Sequence, residues 1–164
     1  MTQSSDLNLH PELMEALEKR GYTEPSPIQA QMIPIMMTGA DVIGQAQTGT
    51  GKTAAFAIPI LQNLIPGQRK PQALILSPTR ELAMQIDQQV QGIGYTMGIH
   101  SIALYGGGAG DEWGQQRTAL TKGADIIVAT PGKLISHLNL GYVKFDTIKF
   151  LILDEADRML DMGF

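Results

Sequence analysis

Ala46-Gln47-Thr48-Gly49-Thr50-Gly51-Lys52-Thr53 decides the fold. The octet stands between Asp41–Ala46, which reads as a short strand, and Lys52–Leu64, which reads as a helix. A phosphate-binding loop requires that strand–loop–helix context. Gly49 and Gly51 let the backbone turn so that successive N–H groups converge, and the helix start adds positive potential at the same point. Lys52 is placed to contact the β- and γ-phosphates of a nucleoside triphosphate, and the Thr53 hydroxyl to ligate Mg2+. Ala46, Gln47, Thr48 and Thr50 complete the candidate lining. The general pattern opens on glycine where this chain has Ala46. A flexible Gly/Thr loop that happens to carry a lysine is the competing account, and the flanking strand and helix weigh against it.

Outward from the loop, strand-like and helical stretches alternate. Apolar runs at Ala73–Ser77, Ser101–Tyr105, Asp125–Ala129 and Phe150–Leu153 are separated by helical patterns at Arg80–Ile93, Asp111–Lys122 and Pro131–Leu138. The last has Thr130 at the N-cap position, Pro131 in the first turn and Gly141 beyond its end. Ala73–Leu76 and Phe150–Leu153 are apolar on both faces, as in a parallel sheet covered by helices on each side. The alternation predicts a three-layer α/β domain with a mainly parallel sheet. Upstream, Leu9, Leu13, Ala16 and Leu17 fall at helical spacing, with Gly21 to close the helix. A second helix starts at Ser26-Pro27 and carries Ile28, Met32, Ile33 and Met36 on one side, with a kink expected at Pro34.

The 164 residues, 43% of them hydrophobic, suffice for one core. Cysteine is absent, which excludes disulfides and thiolate metal sites and fits a reducing compartment. The first residues lack the apolar stretch of a signal peptide, and no apolar run approaches the roughly 20 residues that span a bilayer. A cytoplasmic protein is the expectation. The net charge of -4 argues against holding nucleic acid by bulk charge, though not against a local backbone-binding groove.

Asp154-Glu155 follows the apolar run Phe150–Leu153. Both carboxylates therefore fall at the carboxyl end of a strand, where α/β sheets bind ligands. Phosphoryl transfer needs one carboxylate in the Mg2+ shell and one group to position the attacking water. Asp154 suits the first role and Glu155 the second. Acidic residues also favour the first turn of a helix, but the phosphate loop upstream makes the catalytic reading the stronger one.

With those motifs placed, Asp154-Glu155-Ala156-Asp157 spells D-E-A-D, and the chain resembles the DEAD-box ATP-dependent RNA helicases from about residue 7 to its last residue. Gly21-Tyr22 with Pro25-Ser26-Pro27-Ile28-Gln29 resembles that family's Q motif, and the octet matches the family's own phosphate loop, Ala46 included. Pro78-Thr79-Arg80-Glu81-Leu82-Ala83, Gly106-Gly107 and Thr130-Pro131-Gly132 resemble its motif Ia, GG element and motif Ib. The resemblance implies a lead-in of residues 1–26 and a partial RecA-like ATP-binding domain over 27–164. It implies ATP and Mg2+ as cofactors, with Tyr22 and Gln29 at the nucleotide. It also implies sequence-independent RNA contacts from Pro78, Thr79, Arg80, Gly107, Thr130, Pro131 and Gly132. Helix N-termini behind Thr79 and Thr130 supply a physical rationale for phosphate contacts, although the same residues can simply cap helices. Arg80 suits an ion pair equally well.

Gln29 has two readings. Ser26 and Gln29 form a capping box, while the family's glutamine pairs with the adenine edge, which an amide can do through one donor and one acceptor. The adenine role, and so ATP over GTP, is preferred, with the amide expected to serve one partner at a time. Two departures stand out: Ser4 occupies the position of an aromatic that stacks on adenine, and Lys133 replaces the arginine that ends motif Ib. His10, His100 and His137 lack metal-ligand spacing, the nine methionines read as core filler, and Trp113 reads as packing.

The sequence stops shortly after D-E-A-D. The Ser-Ala-Thr motif, whose strand in the family lies between those of the phosphate loop and the carboxylates, is not in it; nor is a second RecA-like domain. The expectation is a fragment with little activity by itself. Its parent would hydrolyse ATP to remodel or unwind short RNA duplexes. The alternatives are an ATP-dependent RNA clamp or assembly platform without unwinding, and a DNA-acting P-loop ATPase.

Overall fold

A computed structural model describes residues 7–47, 51–107 and 112–164. Ser4, Thr48, Gly49, Thr50 and Asp111 lie outside the described residues. The elements run α1 (Pro11–Lys19), α2 (Pro27–Met37), α3 (Lys52–Asn63), β1 (Ala73–Leu76), α4 (Arg80–Gly94), β2 (Ser101–Leu104), α5 (Glu112–Lys122), β3 (Ile126–Ala129), α6 (Pro131–Leu138), β4 (Phe150–Leu153) and α7 (Ala156–Asp161).

The four strands form one parallel sheet in the order β2-β3-β1-β4. Alternate residues on each strand enter different cores, because side chains along a strand point to opposite faces. Ala73, Ile75, Ile126 and Val128 pack with α1, α2, α3 and α4 on one face. Leu74, Ile127 and Ala129 pack with Leu120 of α5 and with Leu134 and Leu138 of α6 on the other. The three-layer α/β architecture expected from the sequence is therefore present. Helix α3 is buried along most of its length, from Ala54 to Leu61, so it is the central helix of its layer. Helix α2 continues through Pro34 to Met37.

Two expectations are corrected. Asp41–Ala46 forms no strand: residues 41–47 join no ladder, and Ile43 is 97% exposed. An apolar run becomes a strand only when a neighbour takes its backbone hydrogen bonds, and no described residue does so here. Nor is β4 covered on both faces. Phe150 and Ile152 pack against the larger core, but Leu151 and Leu153 are 59% and 52% exposed, since β4 is the last strand of the sheet and no described helix lies over that side.

The register brings the strand ends level with one another. Leu76 is paired with Ala129 on one side and Leu153 on the other, and Ala129 with Leu104. Tyr105, Ser77, Thr130 and Asp154 consequently emerge along a single edge, the carboxyl end of the sheet.

Candidate nucleotide and nucleic-acid site

The phosphate loop enters α3 through Gly51, whose φ of 83° is open to glycine but strained for other residues. A Cβ at Gly51 would stand 2.4 Å from Gln29 Nε2 and 3.1 Å from Ser26 Oγ. The closeness reflects a latch. Gln29, only 4% exposed, donates from Nε2 to the Gly51 carbonyl at 3.1 Å, and its Oε1 accepts the Ser26 N–H at 3.1 Å. Gln29 thus completes its half of the capping box while tying α2 to the loop. Both ends of the amide are therefore engaged, the oxygen in the capping box and the nitrogen on the loop. One N–H and one oxygen lone pair remain, because an amide offers two of each. Tyr22 packs against the larger core beside α1. Ala46 is half-buried and Gln47 exposed in the segment before the loop.

Lys52, the first residue of α3, stands near enough to Asp154 at the end of β4 for its charge to act on that carboxylate. The Asp154 N–H extends the ladder by donating to the Leu76 carbonyl at 2.9 Å. Burial pushes the Asp154 carboxyl above its ordinary range, the Lys52 ammonium pulls it back down, and Glu155 raises it. The fold therefore unites phosphate-loop lysine and strand-end carboxylate. Glu155 adopts a φ of 49°, rare for a residue with a side chain, and accepts from Arg158 Nη1 at 3.3 Å. Such strain is typical of functional positions.

The donor set fits Mg2+ carried by a nucleotide. No cluster of three or more His, Cys, Asp or Glu that could cage a metal occurs among the described residues. Mg2+ is ordinarily held by one or two protein oxygens together with phosphates and water. Thr53 and Asp154 are the candidate oxygens of this chain.

Beside this centre a cleft of about 400 Å³ opens along the same edge. It collects Pro78, Arg80, Thr130, Pro131 and Gly132, together with Gly106, Lys133 and Ser136, and Met162 and Phe164 form a wall. Gly107, at φ 90°, borders it: a Cβ there would lie 3.8 Å from Arg80 Nη1. Thr79 is not in the lining; its Oγ1 caps α4 by accepting the Leu82 N–H at 3.3 Å. The Thr130 hydroxyl instead donates to the Leu104 carbonyl at 3.4 Å, and leaves the N-terminus of α6 without a side-chain cap. The two helix starts thus differ, one closed by its threonine and one open on the cleft.

Each cation of the cleft rests on an aromatic ring. The Arg80 guanidinium lies 4.9 Å from the Tyr105 centroid, with Glu112 at 3.8 Å, and Lys133 Nζ lies 4.7 Å from the Trp113 centroid. Trp113 is also stacked on His137 at 3.9 Å. Stacked on His137 and in contact with the Lys133 ammonium, Trp113 packs against α6, in line with the packing role read from sequence. Sequence reasoning missed Tyr105 and the partnership of Lys133 with Trp113. Lys133 directly follows Thr130-Pro131-Gly132, a signal that was available; nothing in the spacing pairs it with Trp113.

Residues 26–164 match the family model described as DEAD/DEAH box helicase. The ATP-dependent RNA helicase DeaD of Escherichia coli (strain K12) is 48% identical over 164 residues, 99% of this chain and 26% of the relative. The ATP-dependent rRNA helicase RRP3 of Meyerozyma guilliermondii is 52% identical over 161 residues, 98% of this chain and 33% of the relative. The chain thus spans about a quarter to a third of these relatives. Among solved structures, the RNA-helicase Prp28 from Chaetomium thermophilum bound to ADP is similar with TM-score 0.89 and 39% identity, covering 99% of this chain and 40% of that one. A DEAD box protein from Methanococcus jannaschii gives TM-score 0.90 and 37% identity, covering 99% and 44%. With the family model covering most of the sequence, and a RecA-like α/β fold shared with these structures, the chain belongs to the DEAD/DEAH box helicase family.

Proposed function

We propose that this chain is the ATP-binding half of an ATP-dependent RNA helicase, with residues 27–164 forming part of its first RecA-like domain and 1–26 the lead-in. The carrying observation is that one sheet edge bears both Asp154, within reach of the Lys52 charge at the start of α3, and the cationic cleft of Arg80 and Lys133. The two centres share β1, whose end pairs with Asp154 on one side and leads into Pro78 and Arg80 on the other.

In this reading Lys52, the α3 N-terminus and the loop from Ala46 to Gly51 hold the nucleotide phosphates. Gln29 and Tyr22 serve the adenine end, and Gln29 tensions the loop through Gly51. Thr53 and Asp154 hold Mg2+, which neutralises phosphate charge when bound. Glu155 orients the attacking water. Pro78, Thr79, Arg80, Gly107, Thr130, Pro131 and Gly132 form the RNA face, which engages backbone through N–H groups and cations and so is indifferent to sequence. A second RecA-like domain completes the catalytic site, and ATP turnover unwinds or remodels short RNA duplexes in the cytoplasm. No helix among the described residues is long and apolar enough to cross a membrane.

The test is ATP hydrolysis by the full-length protein with and without RNA. RNA should stimulate turnover, DNA of the same sequence should not, and Glu155→Gln should abolish turnover while retaining ATP binding. Equal stimulation by DNA would assign the chain to DNA-acting ATPases. Stimulation by RNA without strand displacement would make it a clamp.

A further inference from the structure

The two cations of the cleft are joined beneath the surface. Gln116 is buried and donates from Nε2 to the carbonyl of Tyr105, whose ring lies under Arg80 (2.9 Å for the hydrogen bond). The same amide presents Oε1 to His137 Nε2 at 3.1 Å. Because the amide nitrogen is committed to a carbonyl, Gln116 can offer only oxygen to the imidazole, and His137 Nε2 must carry the proton. Nδ1 then accepts from the Tyr142 hydroxyl, its other partner. His137 is fully buried, and its ring lies flat against Trp113, with an interplanar angle of 7°. Trp113 in turn lies under the Lys133 ammonium. A continuous series of contacts therefore runs from Arg80 through Tyr105, Gln116, His137 and Trp113 to Lys133.

We propose that Trp113 is a positioning residue, held flat by the buried Gln116–His137 pair, which fixes Lys133 at the cleft in a set relation to Arg80 so that an RNA backbone meets a prearranged cationic pair. The inference rests on the assignment of RNA to this cleft. A lysine side chain has considerable rotamer freedom, and ordering it on binding costs affinity. A ring already under the ammonium removes part of that cost. It also offsets the loss of the planar fork that an arginine would have supplied at this position.

The measurement is RNA affinity in the full-length protein for Trp113, Trp113→Phe and Trp113→Leu, each with Lys133 intact and with Lys133→Ala, and ADP affinity beside each. With Lys133 intact, affinity for RNA should fall in the order Trp, Phe, Leu, by about two- to fivefold overall, the size expected of an exposed cation–π contact. In the Lys133→Ala background the three should bind alike. ADP affinity should stay constant throughout, since the nucleotide centre lies elsewhere. Gln116→Leu should reproduce the Trp113→Leu loss. A Trp113 series of equal size with and without Lys133 would overturn the proposal and leave only a packing role; so would the absence of any series while Lys133→Ala itself weakens RNA. If Lys133→Ala has no effect on RNA, the assignment of RNA to the cleft fails, and the proposal with it.

Discussion

Gln29 donates to the carbonyl of Gly51 across 3.1 Å, while a Cβ on Gly51 would fall 2.4 Å from that same Gln29 nitrogen. The helix before the phosphate loop and the last turn of the loop therefore fit only as a pair. One consequence is that a glutamine read from sequence as an adenine contact is also tied to Gly51, the residue that leads into α3.

Gly51→Ala should weaken ADP binding at least tenfold. The left-handed conformation alone costs about 1–2 kcal/mol in a residue with a Cβ, and the added methyl displaces Gln29. Gln29→Ala should cost ~1–3 kcal/mol by leaving the Gly51 carbonyl without its partner. The double variant should lose less than the sum, because the clash vanishes with the side chain. Isothermal titration of ADP into the four proteins measures this; strict additivity would mean the two residues act independently.

Gly123 has a φ of 97°, and a Cβ there would lie 2.3 Å from the Arg69 carbonyl oxygen. Gly141 has a φ of 79° and open space around it. Gly141→Ala should therefore cost only the conformational term of about 1–2 kcal/mol, and Gly123→Ala distinctly more, as backbone must move. Urea midpoints of the two variants decide this, with equal losses counting against the clash.

His137 is held neutral: burial and then the nearby Lys133 push its imidazole below the ordinary range. Its neighbours are Trp113 and Gln116 of α5, Lys133 on its own helix and Tyr142, with Arg117 over the Tyr142 ring. An unfolded histidine titrates near 6.5. As pH falls through that value, the unfolded chain takes up a proton that the native state refuses, so stability falls. Urea midpoints should drop between pH 7.5 and 5.5, and His137→Asn should flatten that slope even though it lowers stability at pH 7.5. An unchanged slope would show that His137 protonates freely in the folded state.

Arg80 and Lys133 are expected to meet phosphates. Each alanine substitution should lower the slope of log affinity for single-stranded RNA against log salt by about 0.7 and weaken all sequences alike. A loss confined to certain sequences would point to base contacts instead.

The alternation of apolar runs and helical stretches made β1 to β4 legible, because a buried parallel sheet needs strands apolar on both faces. Asp41–Ala46 reads as a strand from its place before the phosphate loop yet makes no ladder, since strand formation depends on a neighbour that local sequence does not specify. Residues of the cleft were legible where they lie in short contiguous motifs, such as Thr130-Pro131-Gly132. Tyr105, Trp113, Gln116 and His137 come from β2's end, α5 and α6, and their association is a product of packing alone. The roles of Thr79 and Thr130 also separate only in three dimensions: identical in type and position before a helix, one caps its helix and the other bonds the neighbouring strand.

Equilibrium titration of fluorescent ADP and GDP into the chain, beside Lys52→Ala, bears most directly on the assignment of Lys52, Asp154 and Gln29 to an adenine nucleotide site. ADP should bind in preference to GDP, and Lys52→Ala should lose most of that binding while its circular dichroism stays unchanged. Equal binding of ADP by the folded Lys52→Ala variant, or of GDP by the unaltered chain, would contradict it.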